Sequence, residues 1–132
     1  MILVDTNLLL RSILQDDIAQ TKATRVFFDR AQKNKVPLVI HELAIAEVAW
    51  VLSKRDWSRD QIGISILEIC ADERFAVRDM EVIEAATNLY IGNNVSFIDA
   101  FQAAFANIHG MQGVLSFDRD FDKLGTKRID PK

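Results

Sequence analysis

The chain has 132 residues, 49% hydrophobic and 27% charged, with 16 Lys plus Arg against 19 Asp plus Glu for a formal net charge of −3. This length suits one domain over residues 1–132, burying roughly two thirds of the surface that the unfolded chain exposes, and the composition excludes a disordered chain. The apolar runs are too short and too interrupted by charge for a membrane span, and the acidic balance argues against gripping nucleic acid by bulk positive charge, without excluding nucleic acid.

The opening MILVDTNLLL lacks a signal peptide's basic region and cleavage site, so a cytoplasmic protein is expected. Cys70, the single cysteine, forms no internal disulfide and reads as core packing. With only His41 and His109 beside it, a Cys/His zinc cluster is excluded.

In chain order, MILV (1–4) is a continuous apolar run, the pattern of a fully buried parallel strand. A helix follows Asp5, from Thr6 or Asn7 to about Leu14, and Asp16 and Asp17 cap the next, Ile18 to about Asn34, with Lys33 and Lys35 at its negative pole. Pro37 starts a second strand, PLVI, and 41–54 reads as a mostly buried helix. Ser58 and Gln61 form an S-x-x-Q capping box ahead of the helical run IGISILEIC. FAV (75–77) is a third strand, and Asp79 opens a helix to about Tyr90, stopped by the αL-tolerant Gly92, Asn93 and Asn94. A helix from Ser96 to about Ile108 precedes a fourth strand, GVLS (113–116), then a short helix in FDRDFDKL and a final edge strand in GTKRID. Strands alternating with helices predict an α/β fold. The expected form is a three-layer α/β/α sandwich whose central, mostly parallel sheet of four or five short strands is covered on both faces.

Three acids are each the only charge in an apolar window: Asp5 in MILVDTNLLL, Glu47 in LAIAEVAWVL and Asp99 in VSFIDAFQAAFANI. An ionised carboxylate buried without partners is very costly, so something must compensate each. Asp5 follows a strand, as does Asp118 in VLSFDRDF, and ligands of parallel sheets collect at the carboxyl ends of strands. Glu47 shares a helical face with Leu43, Trp50 and Val51, which points it inward. Simpler roles exist: Asp5 as a helix cap, Asp99 as the third residue of a Ser96 capping box, Asp118 in a solvated first turn, and Glu47 with a distant partner such as Arg11.

One cluster explains all four together. Two carboxylates about 5 Å apart repel by roughly 3 kcal/mol at an effective dielectric of about 20, so without a cation the group would partly protonate. An all-oxygen set without His or Cys selects a hard ion, Mg²⁺ or Mn²⁺, and such ions bind phosphates. That chemistry points to phosphodiester cleavage.

The segments ILVDTNLLL, ELAIAEVAWVL, SFIDAFQAAFA and LSFDRDF, in order over nearly the whole chain, resemble the four acidic motifs of PIN-domain ribonucleases, and more closely those of VapC-type toxins of toxin–antitoxin pairs. The resemblance implies Asp5, Glu47 and Asp99 as metal-site acids, Asp118 as the more variable fourth with Asp120 its alternative, and Asn7 as an orienting residue. Ser116 stands where the family often has Thr or Ser before the last acid. It further implies a metal-dependent endoribonuclease that is a homodimer and is held inactive by a cognate antitoxin.

Setting the four acids aside leaves 16 basic against 15 acidic residues, so RNA is not repelled by the remainder. Candidate phosphate contacts are Arg11 and the stretch KRDWSR (54–59), with Trp57 as a stacking face; a helix end followed by a cap is the plainer reading of that stretch. Phe101, Phe105 and Trp50 read as core, and His41 and His109, outside the acidic motifs, as structural or exposed. A phosphatase of the haloacid dehalogenase type would need a second Asp where Asn7 stands. A binding-only relic of the family would lack one or more acids, and all four positions are filled.

Overall fold

Most of the helices start at a side chain that accepts their free backbone N–H groups; the helix Met80–Gly92 is the exception, opened by Asp79 in the left-handed region at φ 50° with no side-chain cap. The computed structural model describes residues 1–132. Strand β1 (Ile2–Leu3) leads into α1 (Thr6–Leu14), which Asp5 caps by accepting from Asn7 N–H, and which Gln15 ends in the left-handed region at φ 52°. Asp17 caps α2 (Ile18–Lys33) through Gln20 N–H at 2.9 Å. Strand β2 (Leu38–Ile40) precedes α3 (Glu42–Lys54), where His41 Nδ1 accepts from Leu43 and Ala44 N–H. The Ser58/Gln61 box is reciprocal and opens α4 (Arg59–Ala71).

Strand β3 (Phe75–Val77) and α5 (Met80–Gly92) follow, then α6 (Phe97–Ile108), capped by Ser96 through Asp99 N–H. Strand β4 (Val114–Leu115), a 3₁₀ turn (Arg119–Lys123) and β5 (Arg128–Ile129) complete the chain. The sequence-derived elements all form, each within three residues of its expected bounds.

All strand pairs are parallel. The strands divide into a three-stranded sheet, β1-β2-β3, and a separate β4-β5 pair, rather than one sheet of four or five. This arrangement corrects the reading of MILV as fully buried. β1 is an edge strand, with Ile2 41% and Leu3 63% exposed, and only Val4 enters the core. The core joins Ile40 of β2 to Ile45, Val48 and Leu52 of α3, Ile66 of α4, Ile83 of α5 and Ala100 of α6. Phe101, Phe105 and Cys70 pack partly buried against it, as expected, and so does Trp57, the candidate stacking face, in keeping with the plainer reading of its stretch as a helix end followed by a cap. His109 ends α6 at the surface, its ring 4.3 Å from that of Phe105.

The end of α5 departs from expectation. Asn93 is extended at φ −139°, with no left-handed residue between Gly92 and Asn94. Arg59, at the start of α4, takes over: its guanidinium donates to Tyr90 O at 3.1 Å, to Val95 O at 2.6 Å and to Asn94 Oδ1 at 3.2 Å, and it stacks on the Tyr90 ring. The Tyr90 carbonyl in the last turn of α5 and the Val95 carbonyl beyond it are thus satisfied from another helix. The same bonds occupy the arginine that the sequence offered as a phosphate contact.

Candidate metal centre

Asp99 lies in the first turn of α6, three residues after its cap, so Ser96 orders the backbone that carries it. Asp118 and Asp120 come from the other side. Ser116, at the end of β4, accepts from Asp118 N–H at 2.9 Å, and Asp118 in turn accepts from Asp120 N–H at 2.9 Å to cap the 3₁₀ turn. The path of β4 depends on Gly113: a Cβ there would stand 2.3 Å from Lys127 O, the carbonyl that accepts from Val114 N–H to start the β4-β5 pair.

The result is a group of three carboxylates, Asp99, Asp118 and Asp120, with ligand oxygens within 4.8 Å of one another. Asp99 and Asp120 are half-buried and Asp118 is exposed. Burial pushes the Asp99 carboxyl above its ordinary value, and the charges of Asp118 and Asp120 add to this while Ser96 opposes it. Lys123 offers a counter-charge to Asp120 at 3.2 Å, half-exposed and therefore weakly held.

Asp5 and Glu47 stand outside this group. Asp5 is exposed just past β1, one of its oxygens spent on the Asn7 backbone; that N–H, not the Asn7 side chain, orients it. Glu47 is also exposed, which corrects the inward reading. Its neighbours on that face, Leu43 and Trp50, are 73% and 62% exposed, and the face of α3 that enters the core carries Ala44, Ile45, Val48, Ala49 and Leu52. Trp50 is therefore not core either, and Lys54 lies over its ring.

The partner of Glu47 is Thr6, whose hydroxyl donates to Glu47 Oε2 at 2.9 Å, and not Arg11, which pairs with Asp16. Arg11 is paired with Asp16 and Arg59 with the turn from α5 to α6, and Thr6 is a contact of Glu47 that the sequence reading missed. Ala46 and Ile98, the residues before Glu47 and Asp99 in the chain, line one groove between α3 and α6, about 170 Å³ in volume.

The donor chemistry fits a hard divalent cation: only carboxylate oxygens, close enough to share one ion, with an unneutralised excess of negative charge. The cavity of about 370 Å³ beside Trp57, Asp72 and Arg74 holds no such set, because Arg74 already pairs with Asp72 and Asp29.

The PIN domain family model matches residues 2–127. A VapC ribonuclease of Aquifex aeolicus is 30% identical over 130 residues, covering 98% of this chain and 96% of that protein. No solved structure matches the chain. With the family pattern spanning the three-stranded sheet, all six helices and β4, the chain belongs to the PIN domain family and is of the VapC type.

Proposed function

We propose that the protein is a divalent-metal-dependent endoribonuclease, the toxin of a toxin–antitoxin pair, using Mg²⁺ or Mn²⁺ at its acidic centre. The observation that carries this reading is the approach of Asp99, Asp118 and Asp120 to within 4.8 Å, in a chain of the PIN family. Membership alone does not require surviving chemistry, whereas three converging carboxylates serve no evident packing purpose at a half-exposed rim.

In this reading Asp99 and Asp120, with Asp118 through the oxygen not used in capping, would hold the ion, and Asp5 and Glu47, which lie outside that group, would add negative charge to the site. A bound divalent ion supplies a nucleophile from water at neutral pH and stabilises charge on the leaving oxygen. Ser96 and Ser116 keep their acids in place through backbone N–H groups, so little reorganisation is needed when the ion and the substrate phosphate arrive. RNA as substrate is supported by the relative's printed description. A cognate antitoxin and a second copy of the chain are supported by the exposed apolar side chains Leu43, Trp50 and Ile98 beside the acids. No helix is long and apolar enough to cross a membrane, in keeping with a proposed cytoplasmic site of action.

The test is RNA cleavage with Mg²⁺ or Mn²⁺, against EDTA and against Asp5→Asn and Asp99→Asn. Cleavage to 5′-phosphate and 3′-hydroxyl ends should vanish with EDTA and fall at least about 100-fold in either variant. Undiminished cleavage by both variants would refute the assignment.

A further inference from the structure

We infer that Thr6 is a positioning residue for the acidic centre: its hydroxyl fixes the orientation of Glu47 while leaving that carboxylate's charge available to a cation. The inference rests on reading Glu47 as a site acid. Thr6 is the first residue of α1 and is 6% exposed, and Glu47 lies 41 positions later on the outer face of α3. Their 2.9 Å bond ties the end of β1, and with it Asp5, to α3.

The hydroxyl is free for this task because Asp5, not Thr6, supplies the helix cap. Glu47 makes no other hydrogen bond or ion pair, so Oε2 is held and Oε1 remains open.

The identity of the donor matters. A guanidinium partner would cancel the charge a divalent ion needs, and the arginine that the sequence offered, Arg11, is paired with Asp16 instead. A neutral hydroxyl removes the freedom of a long side chain without removing its charge. Mg²⁺ and Mn²⁺ tolerate little deviation from octahedral geometry, so a glutamate that must be ordered on binding contributes less than one already ordered. Groups that orient metal ligands from behind alter affinity by about 10- to 100-fold.

The test uses Thr6→Val, which deletes the hydroxyl while keeping shape at a buried position, together with Thr6→Ser, which keeps the hydroxyl, and Glu47→Gln. Mn²⁺ affinity is measured by calorimetry, and thermal unfolding is measured without metal. Thr6→Val should bind Mn²⁺ about 10- to 100-fold more weakly, with wild-type affinity restored in Thr6→Ser and the metal-free unfolding midpoint nearly unchanged. Thr6→Ala provides the same comparison if valine disturbs the fold. Wild-type Mn²⁺ affinity in folded Thr6→Val or Thr6→Ala, alongside weakened Glu47→Gln, would overturn the positioning role. Equal weakening in Thr6→Ser and Thr6→Val would also overturn it, since the hydroxyl would then not be responsible. Wild-type affinity in Glu47→Gln would instead remove the reading of Glu47 as a site acid.

Discussion

Asp99 carries the clearest sign of what its surroundings ask of it. Its carboxyl titrates above the ordinary value of 3.8 because burial and two neighbouring acids disfavour the charged form, so the folded chain binds that proton more tightly than the unfolded chain does. The stabilising contribution is therefore fullest at low pH and is lost as pH rises from the unfolded value through the raised folded one. Metal-free Asp99→Asn should accordingly be more stable than wild type at pH 7, with the gap closing as pH falls through that window in urea titrations. Added Mn²⁺ should reverse the order by stabilising wild type alone. The lone charges in apolar windows marked Asp5, Glu47 and Asp99 as candidates in the sequence, and of these only Asp99 joins the carboxylate group. Thr6 was not legible, since a threonine after a short strand carries no signal until the fold places it under a residue 41 positions away. The face of Glu47 was misread because α3 is apolar on nearly every side, and periodicity then cannot say which side is buried.

Helix ends were the most readable elements, because capping is decided by residues a few positions apart. Asp5, Asp17, Ser58 with Gln61, and Ser96 all act as their sequence contexts suggest. The two ends of α5 were the exceptions, since Asp79 opens it at φ 50° without a side-chain cap and the Tyr90 carbonyl near its end is satisfied by Arg59, about thirty residues earlier. Replacing Arg59 by Met should cost about 2 kcal/mol in denaturant unfolding, because three bonds to a charged donor are lost and carbonyls are left open. Replacing Arg55, whose single pair with Asp16 is exposed, should cost less than about 1 kcal/mol. Similar losses for both would mean that the Arg59 bonds do not hold the turn from α5 to α6.

The whole molecule shows where a sequence reading stops. Order, type and parallel direction of the strands follow from alternation and connection rules, but neighbours depend on contacts far apart in the chain. Strands of two or three residues also carry too little pattern to tell an edge from a centre. Hence β1 seemed buried and stands at an edge, and the expected single sheet is two. What survives that difference is the arrangement of acids past the ends of β1 and β4 and in the first turn of α6. A chain of net charge −3 keeps its densest cluster of carboxylates at one half-exposed rim. Diffraction at the manganese edge from crystals grown with Mn²⁺ tests this most directly. An anomalous peak should lie about 2.1 Å from an oxygen of Asp99 and of Asp118 or Asp120. Manganese-saturated crystals with no peak at these carboxylates would contradict the account.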